Sequence, residues 1–404
     1  MNLKTHFPAA GPVEAARAMR GEPGFVFLDS ALPHADSLSL LACKPDLILC
    51  GRDWEMLECE LDRRRRVTGS SGCPDGAAIG WVGYDGDFHF SFYDELHVYS
   101  HAAEEWTNKP QKLEATFSSA SAEPLDFKPV LGQEEFLSMV ESAQAYIAAG
   151  DIYQVCLSHP FLAEACADPW AFYEMLRTLS PAPHAGFLST KGLQIASASP
   201  ESFLRMSGRR IETRPIKGTR PRNSDEAGDR LSSQELLTSS KEIAELVMIT
   251  DLERNDLGRV CHYGSITVPE LLCLERYEQV FHLVSTISGE LREDVSHVAA
   301  FRECFPGGSI SGAPKKRAME IIRELEPHAR GLYTGAIGYF GYNGESQFSM
   351  AIRTAVFEPT RSHFHVGAGI VADSIGEKEW QETWHKAEGL LLAGRACGGA
   401  INAS

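Results

Sequence analysis

The feature that most constrains the fold is a change of period near residue 150. Phe136, Met139, Val140, Ala143 and Ile147 recur at helical spacing, and Gly150 stands where such a helix stops. From Ile152 to Phe161 the pattern becomes that of a strand. Helical and strand segments keep mixing to about Leu390, so the chain must build sheets and helices together, as an α/β or α+β protein. Before residue 100 the pattern is one of short strands. Phe25-Val26-Phe27-Leu28 and Leu47-Ile48-Leu49 are apolar runs bounded by Gly, Pro and Asp. Ile79 to Tyr84 is a strand punctuated by Gly80 and Gly83, which suggests close backbone approach. The stretch 101–130 is polar and holds Pro110, Pro124 and Pro129, so it reads as a connection. Two parts are expected, 1–130 and 131–404.

Composition removes several function classes. A net charge of −17 argues against a nucleic-acid partner, and Arg63 to Arg66 read as a solvated edge or loop. No segment approaches about 18 consecutive apolar residues, so no membrane span is expected. Met1 to Pro8 has no apolar core followed by a cleavage site, which points to the cytoplasm. Ten cysteines are scattered singly without a CxxC pair, so packed, reduced thiols are expected rather than zinc or a redox motif.

Four constellations can carry chemistry. Arg214-Pro215-Ile216-Lys217-Gly218-Thr219-Arg220-Pro221-Arg222 sets one lysine among three arginines. Prolines stiffen the loop, Gly218 admits a ligand, and cationic neighbours would push Lys217 toward a nucleophilic free amine. A basic surface loop is the competing reading. Glu242 and Glu245 share one helix face, and Glu379 and Glu382 repeat that spacing with Lys386 one turn on. Two carboxylate pairs suggest a hard cation such as Mg²⁺; two solvated amphipathic helices are the alternative. Gly307 to Lys315 is glycine-rich, with Pro314 suited to a first helical turn and amides that could hold an anion. Ala313-Pro314 occupies the Lys-Ser/Thr position of a nucleotide loop, so ATP is rejected. Gly367-Ala368-Gly369-Ile370-Val371 reads as a second glycine turn, with Arg353 as a cation for carboxylate recognition. Tight turns between strands would explain both glycine segments equally well.

In order along the chain, Ser199-Pro200-Glu201, Pro215 to Thr219, Asp251 to Asp256, His282 to Ser285, Gly307 to Lys315, Ala351 to Thr354, Gly367 to Val371 and Gln381-Glu382-Thr383 resemble the chorismate-utilising enzymes. That family includes the anthranilate, aminodeoxychorismate, isochorismate and salicylate synthases. The match is dense from about 133 to 390 and diffuse before it, where Leu28-Asp29-Ser30 loosely resembles an N-terminal strand motif. The resemblance implies an α+β sandwich, with two antiparallel β-sheets face to face, helices outside and a central cleft. It implies Mg²⁺ on Glu242, Glu245, Glu379 and Glu382. Chorismate would be bound by Thr219, His282, Tyr333, Arg353, Gly367, Ala368, Gly369 and Lys386. It also raises an aromatic-amino-acid pocket at the N-terminal motif.

Two positions separate the branches. Gln154 stands where isochorismate and salicylate synthases resemble one another in carrying a water-activating lysine, which favours ammonia over water. Pro-Ile-Lys-Gly-Thr resembles the aminodeoxychorismate branch, whereas anthranilate synthases usually read Ala at the lysine. The resemblance therefore implies amination at C4, with Lys217 as nucleophile at C2 and Glu201 as general acid. No Gly-x-Cys-x-Gly elbow is present, so ammonia would come from solution or from a separate glutamine amidotransferase subunit. Anthranilate synthase component I and a non-catalytic sensor of chorismate or an aromatic amino acid remain the alternatives.

Overall fold

The computed structural model describes residues 11–33, 37–67, 72–108, 110, 123–190, 192–223, 225–277 and 280–397. Met1 to Pro8 and part of the connection expected at 101–130, namely 109 and 111–122, lie outside the described residues.

Two antiparallel sheets form the body, and the period change near residue 150 is where the chain enters the first. The helix Gln133–Ala148 ends at Gly150, whose φ is +84°. The strand Gln154–Glu164 then pairs along its length with Arg361–Ile370. From there the 11-stranded sheet runs through Thr354–Phe357, Leu193–Ser199 and His184–Thr190 to Val26–Asp29, Leu38–Ala42 and His97–Ser100. The 10-stranded sheet runs from Ile216–Pro221 through Val280–Glu290, Arg210–Arg214, Ser202–Ser207, Glu345–Met350 and Ala336–Gly341 to Ala77–Val82, Phe88–Tyr93 and Leu47–Gly51. Strands from the first hundred residues thus complete both sheets. Val26–Asp29 pairs with His184–Thr190, and Ala77–Val82 pairs with Ala336–Gly341.

Burial explains the layering. Val26, Leu40, Leu188, Ile195 and Val356 of one sheet meet Ile79, Tyr93, Ile337 and Tyr339 of the other in a shared core. The outer face of the 11-stranded sheet is covered by the helices Pro169–Leu179 and Gly376–Ala396 over Phe25, Phe27, Phe161, Phe187 and Phe364. Gly80 meets the expectation of close approach: a Cβ there would fall 1.8 Å from the His89 carbonyl oxygen. The architecture is the expected α+β sandwich.

Candidate active site

Two helices and the ends of both sheets converge on one site. The helix Ser240–Gly258 starts at the N-cap Ser239, whose hydroxyl accepts the Glu242 N–H at 3.4 Å. Its first turns present Glu242 and Glu245, both half-buried. The helix Gly376–Ala396 presents Glu379, 3% exposed, then Glu382 and Lys386. Lys241 joins the two helices. Its Nζ lies 3.5 Å from Glu379 Oε1 and 4.0 Å from Glu245 Oε1. The other oxygen, Glu379 Oε2, is buried and has no partner among the described residues. Burial pushes the Glu245 carboxyl up, against the pull of Lys217 and Lys241. Burial works the same way on Glu382, but Lys386, Lys241 and Lys217 outweigh it and hold that carboxyl below its usual range.

A metal ion is not ready-made in this arrangement. Among the described residues no group of three or more His, Cys, Asp or Glu side chains is set to hold one. The donor chemistry nevertheless fits a hard cation. Glu379 and Glu245 share the Lys241 ammonium, whose place a divalent ion could take, and the buried Glu379 Oε2 is left unsatisfied among the described residues.

Lys217 stands on an edge strand, Ile216–Pro221, and not on the stiff loop expected. Pairing with Val280–Glu290 slips between Lys217 and Thr219, where Gly218 adopts φ +76°. The arginines expected to depress Lys217 face away from it. Arg214 pairs with Glu275 and Glu270, Arg220 with Glu242 and Glu235, and Arg222 with Asp229. Lys217 itself lies 4.0 Å from Glu245 Oε2 and donates to the Ser309 carbonyl at 3.4 Å. Burial works against its ammonium, yet Cys156, Glu245, Glu201 and Glu382 pull its pKa above the usual value. The expected free amine is therefore corrected: without further ligands Lys217 is an ammonium. The sequence reading erred because strand neighbours alternate sides, so adjacent arginines need not share a face with the lysine.

Glu201 is 6% exposed, and burial raises its carboxyl above the usual range, partly opposed by the Ser309 hydroxyl and Lys217. That direction favours the protonated form that a proton donor needs. The glycine-rich segment 307–312 is not an open anion nest. Gly308–Ile310 is a buried 3₁₀ turn, and its Ser309 carbonyl accepts from both Lys217 Nζ and Cys156 Sγ, the latter at 3.6 Å. Pro314 is the N-cap of the helix Lys315–Leu325.

Gly367, Ala368 and Gly369 also correct the expectation of a turn, since they lie within the strand Arg361–Ile370. Thr354–Phe357 pairs only with Ser362 to Phe364 of that strand, so from His365 onward this edge has no strand partner among the described residues. Lys386 Nζ bridges the Gly367 carbonyl at 2.9 Å and Glu382 Oε1 at 2.7 Å. A Cβ on Gly367 would fall 2.9 Å from the Tyr333 hydroxyl, and one on Gly369 would fall 2.5 Å from Gln154 Nε2. Gln154 is fully buried with neither amide atom partnered among the described residues. Tyr333 stacks on His365. Thr219 Oγ1 and His282 Nδ1 lie 2.9 Å apart; burial, with Arg353 nearby, takes the imidazole down to about 4, so it is neutral. Arg353 is strained, at φ +50°, and has no ion-pair partner among the described residues. With Lys386 it lines a cavity of about 210 Å³ between the two outer helices.

Sequence reasoning missed Ser309, Cys156 and Lys241 as site residues. Only Lys241 left a signal, its spacing of four from Glu245. At the N-terminal motif, Asp29 is held by Tyr173 and Arg177, each at 2.9 Å, beside a small cavity between the sheets that Ser30 and Ser349 also line.

Residues 73–392 match the family model for chorismate binding enzymes. Anthranilate synthase component 1 of Thermus thermophilus is 48% identical over 267 residues, covering 66% of this chain and 58% of that protein. Aminodeoxychorismate synthase component 1 of Bacillus subtilis is 38% identical over 360 residues, covering 79% of this chain and 77% of that one. The chain thus spans less than two thirds of the length of several anthranilate synthase relatives. Anthranilate synthase component I of Streptococcus pneumoniae superposes with a TM-score of 0.78 at 31% identity, over 89% of this chain and 93% of that one. The menaquinone-specific isochorismate synthase of Escherichia coli superposes at 0.75 over 97% and 92%, at 18% identity, a likeness of fold alone.

Proposed function

The chain belongs to the chorismate binding enzymes, and from that premise we propose that it is an aminodeoxychorismate synthase component I, replacing the C4 hydroxyl of chorismate with an amino group. The observation that carries this reading is the meeting of Lys217 and Glu201 at Ser309, a nucleophile beside a buried acid. Lys217 attacks C2 through its amine nitrogen while the C4 hydroxyl leaves with the Glu201 proton, as water. Ammonia then adds at C4 and expels the lysine nitrogen from C2, and the proton it sheds returns to Glu201. Arg353, Lys386 and the strand edge at Gly367 to Gly369 hold the substrate carboxylate away from the glutamates, and Tyr333, His282 and Thr219 orient the ring. Glu242, Glu245, Glu379 and Glu382 would hold Mg²⁺. Bound there, it would join a chorismate carboxylate to the glutamates and cancel the negative field that keeps Lys217 charged.

A second reading, anthranilate synthase component I, is favoured by the 48% identity to the Thermus thermophilus protein. Incubation with chorismate, Mg²⁺ and ammonium, with products resolved by chromatography, separates the two. We expect 4-amino-4-deoxychorismate; anthranilate as the main product overturns the first reading, and no product at all favours a sensor.

A further inference from the structure

One buried guanidinium ties together the segments that carry the site's proposed contacts. Arg330 follows the helix Lys315–Leu325 and is only 3% exposed. Its Nε and Nη2 donate to the two oxygens of Glu326, the C-cap of that helix, at 2.8 and 2.7 Å. Nη2 also donates to the Cys156 carbonyl at 2.7 Å. Nη1 donates to the Ile310 carbonyl at 3.2 Å and to Thr334 Oγ1 at 3.1 Å. All five donors of the fork are thus used. Glu326 Oε1 in turn accepts the backbone N–H and the hydroxyl of Ser158, at 2.8 and 2.9 Å. The guanidinium carbon lies 4.7 Å from the Tyr84 ring centre and 5.8 Å from that of Tyr333. Burial works against this charge, and Glu326 beside it sustains it.

Each segment held this way leads to a group the site uses. Ile310 follows Ser309, whose carbonyl accepts from Lys217. Cys156 and Ser158 pair with Gly369 and Gly367, the edge proposed for the substrate carboxylate. Thr334 Oγ1 donates to the Tyr333 carbonyl at 2.6 Å. None of the five Arg330 bonds goes to Lys217, Glu201 or the four glutamates, so its effect on them is indirect. On the premise that this site aminates chorismate, we propose that Arg330, braced by Glu326, is a positioning residue. It fixes the Ser309 carbonyl, and Lys217 with it, relative to the strand edge Gly367–Gly369 and to Tyr333. A rigid planar fork can hold three segments at set angles, which the point charge of a lysine cannot. The substrate carboxylate is left to Arg353 and Lys386. Loosening the fork therefore misplaces the attacking amine more than it weakens binding, and the loss falls on turnover.

The test compares the full wild-type chain with Arg330→Lys and Thr334→Val, given chorismate, Mg²⁺ and ammonium. Chorismate loss and products are both followed. Arg330→Lys keeps a charge beside Glu326 but loses the fork, and Thr334→Val replaces one acceptor of the fork by a methyl group. We expect kcat to fall about 10- to 100-fold in Arg330→Lys and about 3-fold in Thr334→Val, with KM for chorismate within ~3-fold of wild type. A lower thermal midpoint with kcat unchanged in both variants makes Arg330 a purely structural residue and overturns the proposal. So does a KM that rises as far as kcat falls. Because chorismate loss is the measure of rate, anthranilate as the product removes the C4 amination reading and leaves the positioning role standing. A second readout needs no turnover: trace labelling with acetic anhydride, with acetylation of Lys217 followed by peptide mass spectrometry. Once the Ser309 carbonyl is no longer fixed, Lys217 should label about 2- to 10-fold faster in both variants. Unchanged labelling overturns the proposal whatever the turnover. If Arg330→Lys fails to fold, Thr334→Val carries both readouts.

Discussion

At the scale of single residues, the proposed mechanism divides the work between Lys217, for bond-making, and the glutamates, for charge. Lys217→Ala should slow ammonia incorporation by about two to four orders of magnitude, the loss of a catalytic nucleophile (~3–5 kcal/mol). Lys217→Arg separates nucleophile from anchor, since an arginine keeps the positive charge but lacks a usable amine. Normal turnover in that variant, with no substrate-derived mass on the wild-type lysine when ammonia is withheld, would end the covalent mechanism. Glu245→Gln and Glu382→Gln should each nearly abolish turnover while leaving the circular dichroism spectrum intact. Either removes a charge from a carboxylate group that already holds Lys217, Lys241 and Lys386 in balance. Wild-type rates in both variants, or undiminished activity in EDTA, would refute Mg²⁺ on these residues.

At the scale of elements, the strand Arg361–Ile370 bears both the proposed substrate contacts and buried titratable groups. A Cβ on Gly367 would sit 2.5 Å from the Leu157 carbonyl oxygen, which is backbone, whereas one on Gly369 meets side-chain atoms, those of Gln154 and Cys156. Gly367→Ala should therefore cost about 1–3 kcal/mol in urea unfolding, and Gly369→Ala distinctly less. Equal losses would argue against this difference in packing. His365 on the same strand is held neutral by burial, with His363, Arg330, His159 and His328 adding to the effect, and its pKa falls to about 3. Unfolded, it would take a proton near 6.5. Its contribution is therefore complete above about pH 6.5 and is lost as pH falls toward 3. The thermal midpoint should drop between pH 7 and 4. His365→Phe, which keeps a ring against Tyr333, should flatten that slope; an unchanged slope would show that other groups set the acid limit.

At the scale of the whole molecule, the chain carries the fold of the chorismate binding enzymes but no glutaminase elbow in its sequence. The purified chain should accept ammonium chloride and ignore glutamine until a matching amidotransferase subunit is added. Glutamine-dependent turnover by the chain alone would defeat that expectation. The mixed α+β class, the helix stopped at Gly150, the two glutamate pairs and the family were legible in the sequence, because each depends on local period or on an ordered set of motifs. The facing of side chains was not. Arg214, Arg220 and Arg222 stand next to Lys217 in the chain but pair elsewhere, while Glu245, Glu201 and Ser309 reach it from distant segments. Gly367 to Gly369 look like a turn in sequence, yet a partner strand two hundred residues earlier makes them a strand. Local pattern thus determined the long helices and many of the strands, and it nominated the residues that the proposed chemistry uses. The charge state of Lys217 was decided by the tertiary structure alone, since burial and opposing charge depend on distances in space that sequence order does not encode.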